Sequence, residues 1–357
     1  MTHTPLPFDI IRRTVFLGDS ITDGNTYPCF VRDALHDAGL PRMTAINAGI
    51  GGDTAGQMLA RLERDVLPHQ PTLVTLFAGA NDAARKVTVE EYEANMRGII
   101  VRLRTAQIPV LLLAPITLPR TGREGAGGMM EAYLQVVRQL AAEYDLRVAE
   151  VTACMLADQQ AGHEQFAPDG HPGYQGQRMI ARAVLDALGY PEAPLPARVH
   201  ATVRPGVISP WHIRPVAENE PPLTEDTAAC LAPGAEWATI TLPEPQALTA
   251  DEDLWLDDNR LLGFAVHTTT HAGGDSGKYL GIATLDAPAA RAVHFHTGGQ
   301  LMTIWLNGAC LYRNDWQHGW HAGRESVPAT LQPGQNTVVI ETGSQFFLSV
   351  TEGSFWE

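Results

Sequence analysis

The chain has 357 residues, 45% of them apolar and 18% charged, which is the composition of a folded protein long enough for two domains. With 25 basic against 40 acidic residues, the formal net charge is -15. This charge argues against nucleic acid or an anionic membrane as a partner, because both attract a positive surface. No apolar run approaches the roughly 18 residues of a membrane span.

The first half of the sequence alternates apolar runs with amphipathic helical patterns. Strands are predicted at Val15–Leu17, Thr44–Asn47, Leu73–Phe77, Val110–Ala114 and Arg147–Val151. Apolar residues at three- and four-residue spacing predict helices between them, and a closing helix is predicted over about 174–188. This alternation predicts a parallel, doubly wound α/β sheet with helices on both faces.

The second half has a different pattern. Residues 191–215 contain six prolines and are predicted to be a linker between a catalytic domain at 1–190 and an accessory domain at 216–357. Beyond it, Gly, Pro, Asn and Asp separate short β-type runs, with turn signals at Asn307-Gly308 and 333–336. The runs are Trp237–Leu242, Arg291–His296, Thr303–Leu306, Thr337–Glu341 and Phe346–Val350. No helix is predicted after Leu188, so the second domain is predicted to be an antiparallel, jelly-roll-like β-sandwich.

Residues suited to chemistry follow the first three predicted strands and precede the closing helix. Ser20, Gly52 and Asn81 come after successive strands, and Asp169 shares a loop with His171. Because the carboxyl ends of parallel strands meet at one edge of a sheet, these groups can share a cleft. A serine, an imidazole, a carboxylate and preorganised N–H donors are what nucleophilic attack on a carbonyl requires.

The motifs that contain these residues resemble the sequence blocks of the SGNH hydrolases, also called the GDSL esterase/lipase family. They are Gly18-Asp19-Ser20, the Gly52 turn, Gly79-Ala80-Asn81-Asp82 and Asp169-Gly170-His171-Pro172. The resemblance spans about residues 12–190. It implies a flavodoxin-like three-layer α/β/α fold and a serine ester hydrolase that needs no metal or other cofactor.

The resemblance also implies a role for each residue. Ser20 would be the nucleophile and would donate its N–H to the oxyanion hole, with Gly52 and Asn81 as the other donors. His171 would be the general base and Asp169 the carboxylate that orients it. The family usually spaces the acid and the histidine as D-x-x-H, whereas this sequence has D-x-H. A backbone carbonyl is therefore the alternative partner of the imidazole.

Two further acids and a second histidine lie near these motifs. Asp19 and Asp53 are predicted to support the site by accepting backbone N–H groups of the loops. His163 is the alternative base. Gly274-Asp275-Ser276 repeats the first motif within a glycine-rich loop and is interpreted as a turn.

In the second domain, aromatic residues are the candidates for binding. Trp316 and Trp320 lie in a loop-like stretch and are predicted to stack on sugars, whereas Trp305 lies in an apolar strand and is predicted to be core. His294 and His296 would share one face of a strand. A zinc site needs a third or fourth ligand, so no metal is predicted.

These patterns favour a serine esterase that removes small acyl groups, with acetyl as the hypothesis, from a saccharide. The predicted partner is thus a small-molecule or oligosaccharide ester, with neither nucleic acid nor membrane. The alternatives are a lipid-directed esterase or lysophospholipase, and a carbohydrate-binding protein with an inactive hydrolase domain. The sequence leaves the oligomeric state open, a homo-oligomer included.

The N-terminus and the cysteines bear on the compartment. Residues 1–10 show no secretory signal, which favours the cytoplasm, although a removed signal would leave the same sequence and a secreted mature form stays open. The four cysteines are widely spaced without a C-x-x-C pair, and they are predicted to be reduced.

Overall fold

The computed structural model describes residues 3–24, 26–116, 126–167, 170–196, 206–241, 266–267, 272, 277–314 and 325–354. The chain divides into two compact units. The first comprises Met1–His200 with Leu248–Asp258, and the second comprises Ala201–Ala247 with Asn259–Glu357.

The first unit is built on a parallel five-stranded sheet. Its strands are β1 (Arg13–Gly18), β2 (Thr44–Gly49), β3 (Leu73–Phe77), β4 (Val110–Leu113) and β5 (Arg147–Ala149). Their order is β2-β1-β3-β4-β5, the flavodoxin-like order. The parallel α/β class predicted from the sequence is therefore confirmed.

The register brings the ends of the three strands nearest the site to one level. Gly18, the last residue of β1, pairs with Gly49 of β2 and with Phe77 of β3, which are also the last residues of their strands. Strand β2 lies on one side of β1, and the later strands follow on the other side, so the strand order changes direction between β1 and β3. Ligands bind at such a switch point in open α/β sheets. The loops that carry Ser20, Gly52 and Asn81 all begin there.

Helices connect these strands. They are α1 (Phe8–Ile11), α2 (Ser20–Asp23), α3 (Thr26–Asp37), α4 (Ala55–Ala60), α5 (Leu62–Asp65), a 3-10 turn (Leu67–His69), α6 (Ala80–Ala84), α7 (Val89–Thr105), α8 (Ala126–Tyr144), α9 (Val151–Gln160) and α10 (Tyr174–Leu188). The closing helix lies where it was predicted. The fifth strand was predicted to reach Val151, but that residue begins α9. This helix buries only Val151 and Met155, so its sequence has no apolar stripe at helical spacing by which it could be predicted.

Apolar side chains of the sheet and of several covering helices form a core cluster. Val15, Leu76 and Leu112 from the strands are buried against Met58 and Ile99 from the helices. Burial of each such side chain contributes about 1.5–3 kcal/mol, so the sheet is a rigid base for the loops at its edge. Among the described helices, none is both long and apolar enough to cross a bilayer.

Strands make up most of the described part of the second unit. Its strands are β6 (Trp211–Pro215), β7 (Ala238–Ile240), β8 (Val266–His267), β9 (Tyr279–Ala287), β10 (Arg291–Leu306), β11 (Ala309–Arg313), β12 (Ser326–Leu331) and β13 (Gly334–Thr351). The main sheet has the order β11-β10-β13-β9-β6-β7, with β12 on β10 and β8 on β13. All these pairings are antiparallel, as the sequence predicts for this class.

Three predictions for this half need correction. The predicted linker at 191–215 includes β6, which buries Trp211 and Ile213 on alternate positions and keeps its prolines at its ends. A helix after Leu188 was not predicted, yet α11 (Glu225–Cys230) forms behind a Thr224 cap and is too short to show a periodic pattern.

The third correction concerns strand length. Runs predicted as four separate strands are the halves of β10 and β13, which the structure joins through register shifts between Gly299 and Thr303. The first half of β10 pairs with β12, and its second half pairs with β11. One core cluster contains Phe295 from the first half and Ile304 from the second, so both halves cover the same apolar interior. At the Asn307-Gly308 hairpin both residues have positive φ, as a type I′ turn requires.

Candidate active site

Ser20 is the first residue of a helical turn at the carboxyl end of β1. Asp19 caps this turn, and its Oδ1 accepts the N–H of Ile21 at 3.0 Å. Gly18 must lack a side chain, because a Cβ there would lie 2.0 Å from Oγ1 of Thr22. The N–H of a first helical residue has no acceptor within the helix, so the Ser20 N–H is left for another acceptor.

His171 reaches Ser20 from a tight turn that precedes α10. The N–H of Ala167 donates to the carbonyl of His171 at 2.8 Å, and the N–H of Gly170, which has φ +81, donates to the carbonyl of Ala167 at 2.8 Å. His171 Nε2 lies 2.9 Å from Ser20 Oγ, and the imidazole is 8% exposed. The tertiary structure thus joins a hydroxyl and an imidazole 151 residues apart. Asp169 lies outside the described residues.

The glycine-rich turn after β2 lies beside Ser20. Gly52 has φ +87, a conformation that favours glycine, and its carbonyl accepts Nη2 of Arg85 at 2.8 Å. Within the described part of the chain the Gly52 N–H has no acceptor. The turn is tied to the serine segment, because the N–H of Ile50 donates to the carbonyl of Gly18 at 3.1 Å.

Asn81 lies between the other two loops, near the start of α6. Its Nδ2 lies 3.2 Å from Oδ2 of Asp19 and 3.1 Å from the carbonyl oxygen of Asp53. The preceding Gly79 has φ +131, and a Cβ there would lie 2.9 Å from Cβ of Pro115. The amide is therefore placed by contacts to both neighbouring loops.

The two supporting acids act differently. Asp19 accepts a backbone N–H, as predicted. The carboxylate of Asp53 instead accepts Nε of Arg61 at 2.6 Å, so the prediction that it holds loop backbone is wrong. Burial raises the pKa of Asp53, while the adjacent guanidinium opposes that rise.

Comparison with known proteins identifies the family of this chain. A model of the GDSL-like Lipase/Acylhydrolase family matches residues 16–179. Thioesterase 1/protease 1/lysophospholipase L1 of Escherichia coli K12 is 32% identical over 171 residues, which are 47% of this chain and 78% of that protein. The chain belongs to the GDSL-like lipase/acylhydrolase family. The resemblance inferred from the four motifs is thereby confirmed, and the protein is an esterase of the SGNH type.

Other relatives of this GDSL hydrolase match about half of the chain. An acetylxylan esterase from Geobacillus stearothermophilus is 27% identical over 215 residues, 50% of this chain and 94% of that protein. Axe2, an acetylxylan esterase from the same organism, has a solved crystal structure and is 25% identical in sequence. The match covers 53% of this chain and 97% of the Axe2 chain, with a TM-score of 0.45.

Two charged residues of the GDSL hydrolase that were given no role from the sequence lie beside the site. Arg61 has Asp65 four residues later, which in sequence resembles an exposed helical ion pair, yet the guanidinium is 6% exposed and also reaches Asp53. Asp82 accepts the N–H of Ala55 through both oxygens, at 3.1 and 3.2 Å, and so ties the Asn81 loop to the start of α4. Burial raises the pKa of Asp82 to about 6.

The remaining candidate residues of the first unit and the cysteines have clear outcomes. Nδ1 of His163, the alternative base, lies 2.7 Å from Oδ1 of Asp158, and its ring is largely exposed. The imidazole that contacts Ser20 is that of His171. All four cysteines are free thiols, as predicted: Cys29, Cys154, Cys230 and Cys310.

The candidates of the second unit are only partly placed. Trp316, Trp320 and the Gly274-Asp275-Ser276 motif lie outside the described residues. Trp305 is 3% exposed, which confirms it as core. His294 and His296 bond to hydroxyls of neighbouring strands, and no group of three metal-ligating side chains occurs among the described residues.

Proposed function

We propose that the protein hydrolyses small acyl esters, above all acetyl esters of saccharides, through an acyl-enzyme on Ser20. The observation that carries the proposal is the 2.9 Å separation of Ser20 Oγ and His171 Nε2. A hydroxyl becomes an effective nucleophile when an imidazole at hydrogen-bond distance can accept its proton. A carbohydrate-binding protein with an inactive hydrolase domain would have no need to keep this pair together.

In the proposed reaction, Oγ of Ser20 attacks the ester carbonyl as His171 Nε2 takes its proton. Negative charge then develops on the carbonyl oxygen, which the N–H groups of Ser20 and Gly52 and the amide of Asn81 would stabilise. Each such donor is typically worth about 2.7–4 kcal/mol in the barrier. The imidazolium returns the proton to the leaving alcohol, and water then repeats the sequence on the acyl-enzyme.

The Asn81 amide must share a hydrogen with a present acceptor to take part. Nδ2 carries two hydrogens, and both Asp19 Oδ2 and the Asp53 carbonyl lie within reach of it. Sharing one hydrogen between its present acceptor and the oxyanion would keep the amide in place. The donor is then preorganised, since it moves little as charge develops.

A preference for acetyl on a saccharide is supported by similarity and by sequence. The relative named acetylxylan esterase aligns along 94% of its own length. The segment 116–128 is rich in Gly and Arg and contains no apolar run that would cover a long acyl chain. The second unit, with its predicted sugar-stacking tryptophans, gives a reason to expect a carbohydrate.

The second candidate is a lipid-directed esterase or lysophospholipase. It is favoured by the relative named thioesterase 1/protease 1/lysophospholipase L1, which is 32% identical to this chain. A binding site for fatty acyl chains would make turnover rise with chain length, because each methylene that the site buries contributes about 0.8 kcal/mol of favourable free energy. Chain-length dependence therefore separates the two candidates.

The test compares wild type, Ser20→Ala and Ser326→Ala on p-nitrophenyl acetate and octanoate, followed by acetylated oligosaccharides. Ser326 is a matched control, because its Oγ lies 3.0 Å from Nδ1 of His294 in the second unit. We expect wild type and Ser326→Ala to prefer acetate, and Ser20→Ala to lose at least about 10³-fold in kcat. Undiminished activity in Ser20→Ala would overturn the mechanism, and faster octanoate turnover would favour the lipid candidate.

A further inference from the structure

A buried arginine connects the loops of the proposed oxyanion hole. Nη2 of Arg61 donates to the carbonyl of Gly18 at 3.0 Å, and its Nε donates to Asp53 Oδ2 at 2.6 Å. Nη1 donates to Asp65 Oδ2 at 3.2 Å. One guanidinium thus contacts the backbone two residues before Ser20 and the side chain directly after Gly52.

The contacts continue into a closed ring. The carbonyl of Asp53 accepts Nδ2 of Asn81 at 3.1 Å, and the same Nδ2 donates to Oδ2 of Asp19 at 3.2 Å. Asp19 is bonded covalently to Gly18, where the ring began. Every proposed oxyanion donor is therefore in this ring or adjacent to it in the chain.

We propose that Arg61 is a positioning residue that keeps the N–H groups of Ser20 and Gly52 and the amide of Asn81 in register for the oxyanion. The proposal rests on the roles assigned to these donors under the proposed function. Donors act on a transition state only when they already point to where the charge develops. A guanidinium suits this task, since its planar fork fixes two acceptors at a set angle, whereas an ammonium does not.

A solely structural ion pair would stabilise the fold without favouring the transition state. A positioning residue makes a different prediction, because its loss misaligns the donors while leaving substrate contacts intact. The loss then falls on kcat and not on KM. It also weakens binding of a boronic acid, whose adduct with the serine is tetrahedral like the transition state.

The experiment uses full-length Arg61→Met and Arg61→Lys, with kcat normalised to titrated active sites on p-nitrophenyl acetate. Arg64→Met is the matched control, since Arg64 also bonds to Asp65, at 2.6 and 2.8 Å, but is 47% exposed. We expect Arg61→Met to lose about 10- to 100-fold in kcat. KM should stay within about twofold, and affinity for phenylboronic acid should fall by the same factor as kcat.

The other variants keep the proposal falsifiable. Arg61→Lys should be intermediate, because an ammonium can hold Asp53 but not Gly18 at the same time, and Arg64→Met should match wild type. If Arg61→Met fails to fold, Asp53→Asn tests the same ring, since it removes the ion pair while keeping the carbonyl that Asn81 contacts.

Two results would overturn the proposal. One is an unchanged kcat per active site in an Arg61 variant with a lowered melting temperature, and the other is a loss confined to KM. Failure of the proposed function is recognised separately, by activity that survives in Ser20→Ala.

Discussion

Close approach of two backbones beside the nucleophile makes Gly49→Ala an informative substitution. Gly49 ends β2, and a Cβ there would lie 2.2 Å from the backbone N and 2.7 Å from Cα of Asp23. Asp23 is the last residue of α2, the helical turn that begins at Ser20. A methyl group at Gly49 therefore presses directly on the segment that carries the nucleophile.

The size of the effect follows from these distances. Non-bonded carbon atoms rest at about 3.5–4.0 Å, so Asp23 and its neighbours must move by about 1 Å to admit the methyl group. Overpacking of this kind typically costs about 1–3 kcal/mol of stability. Misplacement of a reacting group by about 1 Å can cost about 10²-fold in rate, so we expect kcat per active site to fall by that order.

Urea unfolding and esterase kinetics with active-site titration measure both quantities, with Gly51→Ala as the matched control. Gly51 lies two residues further on, yet its Cβ would meet Oδ2 of Asp23 at 3.6 Å and Cβ of Ser20 at 3.9 Å, which are ordinary contacts. The control should stay close to wild type in stability and kcat. Equal behaviour of the two variants would refute the idea that the approach of β2 positions Ser20.

Two further substitutions test burial and helix propensity. The folded-state pKa of Asp82 is raised from 3.8 to about 6, so its contribution to stability is full below pH 4 and is lost as pH rises through 6. As the pH falls from 7.5 to 4.5, the free energy of unfolding of wild type should therefore rise by about 2 kcal/mol relative to that of Asp82→Asn. A difference in stability between the two proteins that does not change with pH would contradict this. Gly128→Ala should stabilise the protein by about 0.5 kcal/mol in the same assay, because Gly128 lies in α8 with nothing within 4 Å of its Cβ position. A loss of stability would instead reveal a contact at that position.

Much of the first unit could be predicted from the sequence, because its strands are short and fully buried. Runs such as Leu73–Phe77 read as strands without alternation, since helices cover both faces of the sheet. Helix α10 has a broad apolar face and is followed by Gly189 in a left-handed conformation, so both its length and its end could be predicted from the sequence. By contrast, α9 buries two side chains only, and local pattern carried no signal for it.

The strands of the second unit were harder to predict from the sequence, for a different physical reason. Long antiparallel strands that shift register change which face is buried, and so break the alternation on which recognition depends. The alternating apolar pattern is interrupted near Gly299, and this interruption predicted a loop between two strands, whereas β10 continues through it. Strand β6 was not predicted, because prolines flank it and indicate a linker, although a strand tolerates proline at its ends.

The sequence by itself determined which residue types follow each strand, and a parallel sheet places them at one edge. That is why Ser20, Gly52, Asn81 and His171 could be named in advance as one site. The tertiary structure alone decided which groups touch: the 2.9 Å contact of Ser20 with His171, and the burial of Arg61 between Gly18 and Asp53. Spacing along the chain cannot reveal such contacts, because they join side chains from separate loops whose distances depend on how the whole sheet packs.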